Sequence, residues 1–253
     1  MYLQEIIKHK REEVATLKTV DIARSRPVLN PLDYLRDRPI IAEIKKASPS
    51  RGDISPGADT LGQARLYEEG GAGAISVLTD SRFFKGSFVD LADISRAVRV
   101  PLLCKDFIIS EVQIENAFLH GADFILLIAA VLSAQELTRL SARAAGFGMR
   151  VLFEVHDIEE VEKIKALDPE LVGVNSRDLT SFRINKDKAM NTIRSLKGDF
   201  LRVAESGIEI SRDIIDFKKA GADVFLVGTA LMASADPKAR LAEFSAALER
   251  PCS

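Results

Sequence analysis

The sequence predicts an α/β protein: a single (β/α)8 TIM barrel preceded by an N-terminal helical extension. Three observations carry this expectation. Eight short apolar runs end in a polar or glycine-bearing step. Helical segments lie between them. A helix–Gly–Ala–strand joint recurs at Gly71-Ala72, Gly121-Ala122 and Gly221-Ala222. Glycine just past a helix accepts the left-handed backbone needed there, so a repeated joint marks repeated strand–helix units.

Taken in order, the extension comes first. Ile6, Ile7, Val14 and Leu17 recur at helical spacing among Lys, Arg and Glu, which predicts an amphipathic helix over 4–18. Residues 21–31 read as a broken stretch and 31–36 as a second short helix. The apolar face of the extension must cover something: the barrel wall, another subunit, or the pocket as a lid. The strands are expected at 40–45, 74–79, 102–106, 124–129, 151–154, 172–175, 201–207 and 224–229. Helices are expected at 59–69, 88–98, 110–120, 134–145, 158–167, 186–195 and 211–220, with Asp59, Ser110 and Ser211 as N-cap residues. The domain reading is one barrel over 1–253, of which 1–38 is the extension.

An open doubly wound sheet is the competing architecture. It places a G-x-G-x-x-G turn after its first strand, where this chain has Lys45-Lys46-Ala47-Ser48-Pro49-Ser50-Arg51-Gly52. The Gly70, Gly71 and Gly73 cluster precedes a strand, the wrong side for that motif. Useful strand endings at both ends of the chain fit closure, which brings the first strand beside the eighth.

Composition narrows the function classes. Apolar residues make up 47% and charged residues 28% of 253, enough to fill a large core. A net charge of −2 supplies no global field for nucleic acid or an anionic membrane, so neither is expected as a partner. Cys104 and Cys252 form no disulfide framework and no zinc spacing, and His9, His120 and His156 share no metal-ligand spacing. No metal or other cofactor is expected. His156 lies near the rim and reads as a solvated or helix-capping histidine before a catalytic one. There is no apolar signal region and no run of about 20 uncharged residues to span a bilayer, which makes the cytoplasm the expected location. The Arg51-Gly52-Asp53 tripeptide reads as an ordinary loop. The sequence leaves the oligomeric state open.

Two sets of strand endings carry chemistry. Glu205-Ser206-Gly207 closes the seventh strand and Gly228-Thr229 the eighth. Barrels commonly bind phosphate in these two loops, where glycine lets backbone N–H groups approach an anion. Glu43, Lys45, Lys105, Glu154, Asn175 and Glu205 end strands one, three, five, six and seven. One Lys–Glu pair there would be a structural ion pair. Two lysines and three carboxylates beside a phosphate site point to proton transfer on a phosphosugar. A neighbouring cation or partial burial is expected to lower a lysine pKa, and apolar burial to raise a glutamate.

The stretch from Ala42 to Gly52 resembles the first-strand signature of the indole-3-glycerol phosphate synthase family. The likeness continues through Ser76 to Asp80, Phe83 to Ser87, Leu103 to Ile108, Glu154 to His156, Gly173 to Leu179, Ala204 to Ile208 and Val227 to Met232. It implies closure of 1-(2-carboxyphenylamino)-1-deoxyribulose 5-phosphate to indole-3-glycerol phosphate, with loss of carbon dioxide and water and no cofactor. By resemblance, Lys105 is the general acid and Glu154 its partner in dehydration. Lys45 holds the substrate carboxylate, with the division of labour between the lysines left open. Glu43 and Asn175 position these groups. Arg177 and Glu205 complete the polar rim, and Ser48, Ser206, Gly207, Gly228 and Thr229 surround the phosphate. Phe84 and Phe107 are candidates for the anthranilate pocket, with packing as the equal alternative. Thr229 stands where the family often has serine, and its hydroxyl and N–H remain usable. Two other readings compete: an aldolase using Lys105 as a Schiff-base nucleophile, and a catalytically silent binding or scaffold barrel.

Overall fold

A computed structural model describes residues 2–48, 52–53 and 59–249, with the side chains of Tyr2, Ser48 and Asp53 outside the description. The side chain of Ser48, the tripeptide reading at Arg51 and the terminal Cys252 therefore fall outside the described residues.

Eight parallel strands close into a barrel: β1 (Ile40–Ile44), β2 (Ala74–Leu78), β3 (Leu102–Lys105), β4 (Phe124–Ile128), β5 (Arg150–Val155), β6 (Leu171–Asn175), β7 (Leu201–Glu205) and β8 (Val224–Val227). β1 pairs with β8 on one side and with β2 on the other, so no edge remains. Side chains alternate across each strand. One set faces the helices, among them Ala42, Ile75, Val77, Ile125, Leu127 and Val172, and forms the outer core. The other set fills the barrel: Ile41, Leu103, Phe124, Leu126, Leu152, Leu171, Val203 and Leu226. Both faces are buried, which is why the strands read as continuous apolar runs.

All but one of the helical stretches form where expected, with local reasons. Asp59 caps Thr60–Glu69 by accepting the Gly62 N–H at 2.9 Å. Ser133 and Glu136 make a reciprocal capping box on Ala134–Gly146, which buries Leu137, Leu140 and Ala144. Two expectations are corrected. Ser211 is the first helical residue of Ser211–Lys219, not its cap; Asp213 instead accepts the Glu209 and Ile210 N–H groups at 2.9 and 3.0 Å. The segment 158–167 is not one helix but the single turn Ile158–Val161 and the 3-10 turn Lys165–Leu167. Asp168 in the left-handed region and Pro169 end it, and Val161 and Ile164 stay buried across the break.

The repeated Gly-Ala joints have a structural task. Gly121 and Gly221 take φ of +98° and +102°. The aspartate that follows each joint then bonds the preceding strand twice. Asp123 accepts the Leu102 N–H and donates its own N–H to the Leu102 carbonyl, each at 2.8 Å. Asp223 does the same with Arg202, again at 2.8 Å. The joint therefore fixes strand register as well as turning the chain.

The extension runs along the barrel. Its first helix, Tyr2–Thr16, sits at the carboxyl ends of β2 and β3, where Lys10 meets Asp80 and Asp106. The irregular stretch that follows is clamped at the opposite end by Asp123. That carboxylate has no exposed surface; it holds Arg24 at 2.7 Å and Arg26, and accepts the Leu29 N–H at 2.9 Å. The short helix Leu32–Leu35 then buries Leu35 against the barrel interior. Of the expected placements for the N-terminal helix, the one observed is packing on the barrel itself, beside the carboxyl ends of β2 and β3. Removing one partner of a buried charge cluster typically costs about 3–5 kcal/mol. Asp123→Ala should therefore lower unfolding stability by about that amount in urea titration; a loss below about 1 kcal/mol would mean that the clamp is not structural.

Candidate active site

The inward face of the barrel changes character near its carboxyl end. On β1 the inward column reads Ile41, Glu43, Lys45; on β3, Leu103, Lys105; on β5, Leu152, Glu154; on β7, Val203, Glu205. The period of two that buries the lower apolar residue also aims the charged one at the axis. Closure then brings residues 43 to 205 around one cleft.

At its centre lies the Lys105 ammonium. Its Nζ is 3.0 Å from Glu205 Oε2 and 3.4 Å from Glu154 Oε2. Lys45 Nζ is 2.6 Å from Glu43 Oε1. Glu43, Glu154 and Glu205 are all buried. Space for this crowd comes from two missing side chains. A Cβ on Gly173 would lie 2.0 Å from Glu205 Oε1, and one on Gly228 would lie 2.6 Å from Glu43 Oε1. Glu154 Oε1 and Glu205 Oε1 are buried without a hydrogen-bond partner, so acceptor capacity remains at the heart of the cleft.

The electrostatics differ from the sequence expectation at Lys105 and agree with it at one glutamate. Burial alone would lower the Lys105 pKa, but Glu205, Glu154 and Glu43 outweigh it and hold that pKa above the usual lysine value. The raised carboxyl is Glu205. Burial, with Glu154 and Glu43 adding to it, pushes Glu205 up to about 7 against the pull of Lys105. Burial also opposes ionisation of Glu154, but Lys105, His156 and a hydrogen bond from Asn175 together keep it below its ordinary value. Glu43 is likewise held low, burial being overcome by Lys45 and Lys105.

Two chambers meet at this cluster. The first is walled by Leu78, Phe84, Phe107, Leu126, Ile128, Leu179 and Phe182. Phe84 and Phe107 stand 6.2 Å apart with rings inclined at 37°. The second is polar and lies against Ser206, Gly207, Gly228 and Thr229. Ser206 and Gly207 both have positive φ, +64° and +74°, which turns the chain sharply at the end of β7. Gly228 stands at the start of Thr229–Met232, whose first N–H groups have no intrahelical acceptors. Glu43, Lys45, Lys105, Arg177, Ser206 and Thr229 line both chambers.

Apart from Ser48, the sequence-predicted site residues gather in these chambers. Glu154, Asn175, Phe84 and Phe107 face the first, and Glu205, Gly207 and Gly228 the second. Arg177 is fixed through its N–H to Asn175 Oδ1 at 3.0 Å and its Nη1 to the Phe182 carbonyl at 3.2 Å. His156 lines neither chamber. It is half-buried behind Glu154, with Nδ1 3.2 Å from Glu160 and Nε2 3.6 Å from Glu154, so it is neither solvated nor a cap. Sequence reasoning gave no role to Asp80, Asp106 or Lys10. The first two follow strand ends and were open to the same rim argument. Lys10 lies outside the repeat, on a helix face crowded with charge, and carried no signal. Among the described residues, no group of three or more His, Cys, Asp or Glu is arranged to hold a metal ion. No helix among them is long and apolar enough to cross a membrane.

Fold and site together define a barrel enzyme built for acid–base chemistry at its carboxyl-end rim. The family model described as "Indole-3-glycerol phosphate synthase" matches residues 3–244. A Bacillus cereus protein named indole-3-glycerol phosphate synthase is 43% identical over 92% of this chain and 93% of its own length. A Bacillus anthracis protein of the same name is 42% identical over the same shares. The chain belongs to the indole-3-glycerol phosphate synthase family, carboxy-lyases of tryptophan biosynthesis. Among solved structures, a 3-hexulose-6-phosphate synthase aligns with a TM-score of 0.66 at 17% identity, covering 82% of this chain and 98% of the other. Thiamine phosphate pyrophosphorylase from Pyrococcus furiosus aligns at 0.62 and 16%, covering 85% and 96%. These distant likenesses show the barrel fold.

The Gly173 contact generates a test. Gly173→Ala must push the Glu205 carboxylate away from Lys105, and a misplacement near 1 Å costs about 10²-fold in rate. Turnover of the variant should fall by that order while its circular dichroism stays that of a folded barrel; wild-type turnover would mean that Glu205 is not held where its contact with Lys105 requires.

Proposed function

We propose that this cleft closes the indole ring of 1-(2-carboxyphenylamino)-1-deoxyribulose 5-phosphate, with the anthranilate in the apolar chamber and the phosphate against Ser206, Gly207, Gly228 and Thr229. One observation carries the reading: an apolar chamber and a glycine-lined polar chamber share a wall made of Lys45, Lys105 and Glu43. A substrate with an aromatic acid at one end and a phosphate at the other needs both anchors to bring its ends together.

The chemistry assigns work to each group. The ring carbon bearing the carboxylate attacks the sugar C2 carbonyl, which makes an alkoxide, and a proton donor must meet it. Lys105 donates that proton. Carbon dioxide departs and restores aromaticity. Lys105, reprotonated from solvent, then gives a proton to the new hydroxyl, which leaves as water while ionised Glu154 removes the C1 proton and passes it to solvent; this forms the second ring double bond. One proton from solvent is consumed for each carboxylate lost. Lys45 holds the substrate carboxylate in the anchoring step, Glu43 and Asn175 fix the lysines and sugar hydroxyls, and Arg177 closes the polar rim. Positioned acids and bases of this kind each contribute about 10²–10⁴-fold to rate. We further place the protein in the cytoplasm, acting on a small molecule without nucleic acid.

Purified protein mixed with this substrate, with no metal or nucleotide added, should develop indole fluorescence. A folded protein that stays dark contradicts the assignment, and a stable borohydride adduct at Lys105 would favour an aldolase. Lys105→Met should abolish turnover and leave binding of inorganic phosphate within about twofold of wild type; near-normal turnover removes Lys105 as the acid.

A pH dependence also follows. Below about 7, Glu205 is protonated; above it, ionised. Ionised Glu205 holds the Lys105 proton more tightly and weakens it as a donor. The kcat/KM of the wild type should therefore decline as pH rises through about 7, and Glu205→Gln should lose that limb. The same limb in the variant would assign it to another group.

A further inference from the structure

Lys10 is the least expected side chain in the molecule. It belongs to the N-terminal helix Tyr2–Thr16, yet its side chain has no exposed surface. Lysine is almost never fully buried unless paired, and this one is paired three times. Its Nζ lies 2.9 Å from Asp80 Oδ2, 2.9 Å from Asp106 Oδ1 and 3.0 Å from Glu13 Oε2. Asp80 and Asp106 are themselves buried.

Each aspartate also grips backbone beside a cleft phenylalanine. Asp80 Oδ1 accepts the Phe83 N–H at 2.7 Å and so caps Ser81–Phe84, the turn that carries Phe84. Asp106 Oδ1 accepts the Phe107 N–H at 2.7 Å, and its Oδ2 takes the Thr79 hydroxyl at 2.8 Å. The two phenylalanines form one side of the apolar chamber, whereas no residue of the N-terminal helix lines it. Without Lys10, two buried like charges would face each other and drive these two backbone segments apart.

We propose that Lys10 is a positioning residue for the aromatic end of the cleft: by clasping Asp80 and Asp106 it sets the spacing of Phe84 and Phe107 for the substrate's ring. The N-terminal helix is then part of the ring site without touching the ring. This rests on the reading that the apolar chamber holds the anthranilate.

The test compares two probes, the product indole-3-glycerol phosphate and inorganic phosphate, by isothermal titration with wild type, Lys10→Met, Lys10→Arg and Phe84→Ala. Lys10→Met should raise the product Kd and the substrate KM about tenfold. It should leave the phosphate Kd within about twofold and move kcat less than KM. Lys10→Arg, which keeps the charge, should recover most of the loss. Should Lys10→Met fail to fold, Lys10→Met with Asp106→Asn leaves one buried carboxylate in place of two, which relieves the repulsion without restoring the clasp. Product binding should stay weaker than wild type while phosphate binding holds, and wild-type product binding in that variant would overturn the proposal. Unchanged product binding, or equal loss of product and phosphate binding, overturns the proposal. Phe84→Ala separates the two layers. If it does not weaken product binding, the ring-site reading fails and takes the proposal with it. If it does, and Lys10→Met does not, the proposal alone fails.

Discussion

The constraint on which this molecule depends is the alternation of a β-strand inside a closed barrel. A residue that points inward near the amino end of a strand obliges the residue two places on to point inward as well. Leu103 therefore commits Lys105, Leu152 commits Glu154, and Val203 commits Glu205 to the same axis. The hydrophobic effect sets the register by burying the lower residues, and a one-residue slip would turn the charged set toward the helices. Stability and site geometry are thus fixed by the same packing.

That packing leaves charge crowded in a small volume. Three carboxylates and two ammonium groups share the cleft, and none is solvated enough to ignore the others. The carboxylates do not respond alike. Burial opposes ionisation of all three; Glu154 and Glu43 stay low because more than one cation offsets it, whereas Glu205 is raised because burial, Glu154 and Glu43 outweigh Lys105. Like charges in one pocket push their titrations apart, which gives a site both an ionised base and a carboxyl that changes state near neutrality. Glycine at 173 and 228 is the steric condition for this arrangement, because any side chain there would occupy the space of a carboxylate.

Much of this was readable in the sequence because the relevant signals are local. Strand endings, helix caps such as Asp59 and the Gly-Ala joints depend on neighbours a few residues away, and their consequences add up around a ring. The charged rim followed from the same strand endings. What escaped reading depends on distance in the chain. Lys10 finds Asp80 and Asp106 only after the extension has crossed the rim, and nothing in residues 2–16 distinguishes it from Lys8 or Arg11. The pKa order of Glu154 and Glu205 depends on how many stabilising partners meet each one, Lys105, His156 and Asn175 at Glu154 but Lys105 against two carboxylates at Glu205, a three-dimensional property. The break at 158–167 and the true cap of Ser211–Lys219 show the usual uncertainty of helix ends, where one side chain such as Asp213 takes a task that another residue type suggested.

The central claim is that one cleft holds an aromatic ring and a phosphate at opposite ends, with Lys105 and Glu154 between them. The most direct measurement is a crystal structure with indole-3-glycerol phosphate bound. The account predicts phosphate oxygens within hydrogen-bonding distance of the backbone at Gly207 and Gly228, the indole beside Phe84 and Phe107, and the Lys105 and Glu154 side chains over the newly formed ring. Product bound in the reverse sense, or away from Lys105, would contradict it.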